Sequence, residues 1–335
     1  MKPPRITVLM PARNAARFLR EALDSIFMQT FWDFELLVVD DGSMDDTPHI
    51  VASYQDDRMR TVRLENSQGL TEALNVGLAA AKGEYIARMD SDDISYAHRL
   101  ARQRTFLEER PEVVMVGSWA DIIDHEGRRV SVMRPPTGAA ELAEGLLNGN
   151  RFVHTMVMFR RREVLALGGY RALLPHAQDY DLWLRLAEQY FLANIPEVLG
   201  AYRVHGGQIS SRKIAAQRRS ANFYRRLAIE RRSLGTEQVH GPRDPGLWAE
   251  LKGGERTVSE AYSSWSVLQE VAGAKREARR LAWLAALRAP LGAGLWERAI
   301  RLSLETSLPA RQVVLLRRVK RALGAIGPRP KGSGR

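Results

Sequence analysis

Three aspartates, Asp90, Asp92 and Asp93, fall within four residues just after Arg88, where an apolar run ends. Crowded carboxylates repel one another. The chemistry that offsets such repulsion is a hard divalent cation, Mg²⁺ or Mn²⁺, which takes one or two carboxylates together with water and substrate phosphates. Side chains two apart on a strand share a face, so Asp90 and Asp92 could hold a metal and a diphosphate between them. A helix N-cap is the competing explanation for Asp92 or Asp93, ahead of a helix opening near Ser95; it accounts for one aspartate, not three. Two more apolar runs end in polar groups: Pro11, Ala12, Arg13 and Asn14 after the first, Asp40, Asp41, Gly42 and Ser43 after the second.

The elements that must position these groups are legible as alternation. RITVLMP, FELLVVDDGS, MRTVRLE and EYIARM read as strands. ARFLREALDSIFMQ, DDTPHIVASYQ and LTEALNVGLAAAKG read as helices, the second capped by Asp45 or Asp46, the third stopped at Gly83. This predicts βαβ units in a parallel sheet, with ligands beyond the carboxyl ends of the strands. Later, SYAHRLARQRTFLEER and QDYDLWLRLAEQY read as helices. EVVMVGSWADIID, RRVSVM, FVHTMVMFRR, FLANI and EVLGAYRVH read as strands. From about residue 210 the chain reads as helical or irregular.

Composition excludes several classes. The 335 residues contain no cysteine, so thiolate metal sites, disulfides and cysteine nucleophiles are out. No Gly-x-Gly-x-x-Gly follows the first strand and no Gly-Lys-Ser/Thr loop occurs, which weighs against dinucleotide oxidoreductases and P-loop NTPases. The start MKPPRITVLMP is broken by proline too soon for a signal peptide, and no apolar run is long enough to span a bilayer. The expectation is a cytoplasmic protein.

The blocks ITVLMPARNAARFLREALDSIFMQTFWDFELLVVDDGSMDDT, NSQGLTEALNVGLAAAKGEYIARMDSDD and QDYDLWLRLA resemble, in order and spacing, the family 2 glycosyltransferases with a GT-A fold, over roughly residues 5–205. The resemblance implies an α/β fold, a Rossmann-like mixed sheet flanked by helices, with a mainly helical C-terminal extension. It implies a metal-dependent inverting transferase using a nucleotide-diphosphate sugar, a UDP-sugar above all, on a glycan, lipid-linked or cell-surface polysaccharide acceptor. It places Pro11, Ala12 and Asn14 in the first nucleotide-facing loop and Asp41 on the base. Asn66, Gly69 and Asn75 fall near the nucleotide, Asn75 having an ordinary polar helix face as its alternative. Arg88 falls near the sugar, or simply neutralises Asp90. Asp90 contacts ribose or sugar, Asp92 ligates the metal, and His205 lies near metal or diphosphate, with Arg203 adding positive charge. His154 lines the acceptor side or sits in the core. Asp179 is implied as catalytic base, against a first-turn helix carboxylate; relatives usually read Glu-Asp where this chain has Gln178-Asp179. Asp181, about 200° around the helix, points elsewhere. A sugar-nucleotide-binding protein without catalysis and a nucleotidyltransferase are the alternatives.

Charge divides the chain. Residues 206–335 carry 26 Lys+Arg against 10 Asp+Glu, while residues 1–205 carry 24 against 29. Arginines alternate with Trp283, Leu284, Leu287, Leu291, Leu295 and Trp296, a pattern that suits an anionic membrane surface or packing on the catalytic domain. No nucleic-acid motif occurs. The expected organisation is a catalytic domain over 1–209, a basic helical region over 210–323, peripheral on the inner face of the membrane, and a disordered tail over 324–335.

Overall fold

The computed structural model describes residues 3–173, 176–206, 213–236 and scattered positions from 262 to 303, of which 275–288 is the longest run. The chain divides into two compact units, Met1–Gly254 and Glu255–Arg335.

The first unit is built on a mixed sheet with nine strands among the described residues. The strands are β1 (Ile6–Ala12), β2 (Phe34–Asp41), β3 (Met59–Leu64), β4 (Tyr85–Arg88), β5 (Ile94–Ser95), β6 (Val113–Ile123), β7 (Arg129–Met133), β8 (Met158–Arg160) and β9 (Phe191–Arg203). Their order is β3-β2-β1-β4-β8-β6-β9-β5, with β7 paired to β6. β3, β2, β1 and β4 run parallel, and the antiparallel β8 separates them from the parallel pair β6 and β9. Register brings Ala12 beside Asp40 and Leu9 beside Arg88, so the polar strand ends share one edge.

Alternation along the strands feeds two cores. Ile6, Val8, Met10, Leu36 and Val38 face one layer, formed by α1 (Leu19–Phe27), α2 (Thr47–Ala52) and α4 (Arg99–Glu109). Leu9, Leu37 and Val39 face the other, formed by α3 (Leu70–Ala80), α5 (Ala139–Leu146), α6 (Arg161–Ala166), α7 (Gln178–Leu186) and α8 (Ile214–Leu234). Phe223, Tyr224 and Leu227 of α8 belong to that second core, so the first unit continues past the expected boundary at 209.

Several elements differ from expectation. α3 stops at Ala80 with an extended cap at Ala81. Gly83 is required for close approach instead: a Cβ there would lie 2.3 Å from the Thr7 amide nitrogen. FVHTMVMFRR is not one strand. His154–Met156 forms a 3₁₀ turn before β8: the Met156 N–H bonds the Val153 carbonyl, and the Gln103 side chain hydrogen-bonds the Met156 carbonyl. FLANI and EVLGAYR form one long strand, β9, with register shifts against β6. α5 and α6 have no counterpart in the expected elements.

In the second unit, α9 (Lys275–Arg288) buries Ala278, Ala282 and Ala286 against Ala299 and Leu302. Trp283 packs on this cluster and donates its indole N–H to Ser303 at 2.8 Å, while Leu287 is exposed. Much of the expected basic helical region over 210–323, and all of the tail over 324–335, lies outside the described residues. No described helix is long and apolar enough to cross a membrane.

Candidate active site

β4 delivers the acidic triad. Its last residue, Arg88, is 1% exposed and ion-paired to Asp90. Carboxylate oxygens of Asp90, Asp92 and Asp93 all lie within 4.8 Å of one another. Burial pushes the Asp90 pKa up, with Arg88 opposing and Asp92 reinforcing the rise. Asp93 is held well above the ordinary carboxylate range, first by burial and then by the charges of Asp92 and Asp90. Arg88 answers both: burial would lower its pKa, but Asp90 reverses that and the net shift is upward.

The expectation that Asp92 or Asp93 caps a helix near Ser95 is corrected. α4 begins at Arg99, behind a two-residue strand, and its N-cap is His98. Asp93 is fully buried and accepts the Arg203 backbone N–H at 2.7 Å, tying the β4–β5 turn to the end of β9. Its second oxygen has no hydrogen-bond partner.

His205, two residues past β9, places Nε2 3.0 Å from Asp92 Oδ2. Arg203 donates Nε to the Asp92 carbonyl at 2.8 Å and Nη2 to Glu21 of α1 at 2.7 Å. Its guanidinium lies over the Phe18 ring, which also contacts His205. The positive charge expected of Arg203 is therefore engaged by Glu21. Buried Arg99 is the unforeseen member of this edge. It donates to the Arg88 carbonyl at 2.7 Å and holds the end of β4 from below. Burial lowers its pKa to about 9, which leaves it charged at neutral pH.

β1 and β2 supply the adjoining wall. Pro11 and Ala12 are buried in β1, and Asn14 follows with φ +49°. The Asn14 amide donates to Ser43 Oγ at 2.9 Å, and its side-chain oxygen accepts the Met44 N–H at 2.9 Å, lacing the two loops together. Asp41 is 3% exposed and accepts from Ser67 Oγ, the Gln68 N–H and the Gly69 N–H at 2.8, 2.6 and 3.1 Å. It builds the loop that carries exposed Asn66. Gly42, at φ +64°, passes so near this loop that a Cβ would meet Ser67 N at 2.8 Å. Asn75, implied to lie near the nucleotide, is engaged within the protein. Its amide donates to the Tyr170 carbonyl at 2.8 Å and accepts the Tyr170 N–H at 3.0 Å, so both its groups position the 168–170 turn.

Asp179 comes from a different element, the first turn of α7 after Ala177, whose φ is +59°. Burial raises its pKa, opposed by the Tyr180 N–H, by Arg88 and by Asn150, which donates Nδ2 to Asp179 Oδ2 at 2.8 Å. Asn150 was not foreseen. Asp181 points inward, fully buried between Arg171 and Arg185. Gln178 is 5% exposed, so a glutamate there would add a buried charge next to Asp179. His154 sits half-buried, its Nε2 3.1 Å from the Tyr170 hydroxyl and its ring edge-on to Trp183. Burial and then Arg88 hold its pKa well below 6.5, so it is neutral at physiological pH.

Residues 7–167 match the family model for "Glycosyl transferase family 2". The chain is 33% identical over 202 residues to the putative glycosyltransferase EpsE of Bacillus subtilis, covering 58% of this chain and 72% of that one. It is 32% identical over 198 residues to the amylovoran biosynthesis glycosyltransferase AmsE of Erwinia amylovora, covering 58% and 74%. Among solved structures it resembles S. aureus TarS 1–349 in complex with UDP-GlcNAc, with a TM-score of 0.54, 18% identity, and 90% and 91% of the two chains covered. It also resembles the mannosyltransferase PcManGT from Pyrobaculum calidifontis in complex with GDP-Man and Mn²⁺, with a TM-score of 0.53, 21% identity, and 90% and 85% covered. The sheet, its acidic edge and these likenesses define a glycosyltransferase of GT-A architecture. The chain belongs to glycosyltransferase family 2.

Proposed function

We propose that this glycosyltransferase moves a sugar, with inversion and with a divalent cation, from a nucleotide-diphosphate donor to a glycan or lipid-linked acceptor. The observation that carries the reading is the separation of duties between two acidic places: the triad at the end of β4 and the lone Asp179 on α7. A cation fits the first. Three carboxylates with raised or crowded charge converge there, one buried oxygen of Asp93 lacks a partner, and His205 adds a nitrogen beside Asp92. Asp92 and His205 would hold the ion, and Asp90 the ribose or sugar. When bound, the cation supplies positive charge to the leaving diphosphate.

The chain's own groups do the rest. Pro11, Ala12, Asn14 and the Asn66–Gly69 loop organised by Asp41 form the wall for the base. Arg88, screened by Asp90, sets positive potential near the sugar. Asp179 accepts the proton of the attacking acceptor hydroxyl as its oxygen bonds to the anomeric carbon and the bond to diphosphate breaks, its electrons leaving with the diphosphate. One displacement inverts the centre. Neutral His154, hydrogen-bonded to Tyr170, lines the acceptor side.

UDP is the favoured nucleotide, supported by the UDP-GlcNAc bound to TarS, and Mn²⁺ is supported by PcManGT. A relative named for amylovoran biosynthesis supports a polymer precursor as acceptor. The test is a panel of nucleotide-sugars with and without Mn²⁺, read by thermal shift, because a ligand that binds only the folded state stabilises it by mass action. Stabilisation by a UDP-sugar only with Mn²⁺ supports the reading. Stabilisation by no member of the panel opposes it.

A further inference from the structure

Three successive backbone amides mark where the chain leaves β4. Arg88 donates to the Val157 carbonyl, on the β8 side, at 3.0 Å. Met89 donates to the Leu9 carbonyl of β1 at 3.0 Å. The Asp90 amide faces the β8 side again, as alternation along a strand requires. No strand carbonyl meets it there, because residues 154–156 have already left β8 for the 3₁₀ turn. The Thr155 hydroxyl takes the place of that carbonyl and accepts the Asp90 N–H at 3.0 Å. Thr155 is 1% exposed, and its branched side chain has little freedom at χ1, so this oxygen is a fixed acceptor.

The far end of the acidic turn is anchored from β9. Arg203 donates Nε to the Asp92 carbonyl at 2.8 Å and its backbone N–H to the Asp93 carboxylate at 2.7 Å. Asp90 and Asp92 lie between the two anchors. Thr155 is the anchor on the β8 side, and its neighbour looks the other way. His154 Nε2 lies 3.1 Å from the Tyr170 hydroxyl, and its ring stands edge-on to Trp183, one helical turn from Asp179 on α7. Adjacent residues of one turn thus touch the acidic triad and the helix of the proposed base.

We propose that Thr155 is a positioning residue for the cation: through the Asp90 amide, its hydroxyl sets where the Asp90 and Asp92 carboxylates point. The inference rests on the reading of the triad as the cation site. Groups that orient metal ligands without touching the metal contribute roughly ten- to a hundredfold in affinity. The hydroxyl acts on the backbone of the turn, so its removal changes ligand direction while every carboxylate remains.

The test follows Mn²⁺ binding to the full chain by the loss of the free ion's electron paramagnetic resonance signal. Wild type should bind, and Asp92→Ala should bind far more weakly. Thr155→Val, which keeps the branched shape and removes the acceptor, should bind at least roughly tenfold more weakly than wild type. Thr155→Ser, which keeps the hydroxyl, should stay nearer to wild type than Thr155→Val. Thr155→Ala removes the same oxygen with less bulk and serves if Thr155→Val does not fold. Denaturant midpoints are measured alongside. A lowered midpoint with wild-type Mn²⁺ affinity makes Thr155 a packing residue and overturns the proposal, as does equal weakening in Thr155→Ser and Thr155→Val. If wild type binds no Mn²⁺, or Asp92→Ala binds it as well as wild type, the triad is not the cation site and the underlying reading falls. If Asp92→Ala loses binding while Thr155→Val and Thr155→Ala keep it, that reading stands and the role of Thr155 alone falls.

Discussion

As the proposed base, Asp179 must be ionised to accept a proton, and burial raises its pKa. The rate of transfer should therefore rise with pH through that raised value and level off above it. Asn150 opposes the rise by donating to the carboxylate. Asn150→Ala should move the limb of the profile to higher pH, with most of the rate restored on the alkaline side. Initial rates between roughly pH 4 and 8, from ordinary carboxylate through histidine titration, check this; an unmoved limb contradicts it. The aspartates were legible in the sequence because residue type and short spacing announce their chemistry. Asn150 was not, and Arg203, read only as added positive charge, gave no sign of its ion pair. Their partners, Asp179 and Glu21, lie 29 and 182 residues away, and only the folded chain brings them together. The tie of Asn75 to Tyr170 was hidden for the same reason.

At the scale of elements, the β4–β5 turn concentrates an electrostatic penalty. A carboxylate whose pKa is raised by folding binds more protons folded than unfolded. It therefore lowers stability as pH rises from its unfolded pKa through its folded one. Asp93 is such a group. Asp93→Asn keeps an oxygen for the Arg203 N–H, and should be more stable than wild type near neutral pH without cations. The difference should shrink as pH falls. Denaturant midpoints at several pH values measure it, and a variant less stable at neutral pH contradicts the penalty. Gly83 gives a second case. Gly83→Ala sets a Cβ against the Thr7 backbone and should cost about 1–3 kcal/mol by overpacking. An unchanged denaturant midpoint would refute the close-approach role. Strand–helix alternation was readable through β4 because period and turn residues agree. The 154–156 turn was hidden inside an apolar run, where the Met156 N–H bond to the Val153 carbonyl and the Gln103 bond from α4 to the Met156 carbonyl decide against strand.

For the whole molecule, the two compact units have separate buried clusters. A chain lacking residues 255–335 should still unfold cooperatively and still be stabilised by donor with Mn²⁺. It should sediment less with anionic vesicles, because the excess of positive charge lies in the C-terminal part of the chain. Loss of the cooperative transition would show that the first unit depends on the second. The sequence revealed this charge division but not its packing: Trp283, which could have met a membrane, is turned onto an alanine cluster.

The most direct measurement pairs donor binding with sugar transfer in Asp179→Asn, using the nucleotide-sugar and cation identified by the panel. Donor affinity should stay within about threefold of wild type, since the proposal puts this residue on the acceptor side, while transfer should fall by roughly a hundredfold or more, the contribution of a general base. Transfer at the wild-type rate with donor affinity intact would contradict the division of labour between the β4 triad and α7.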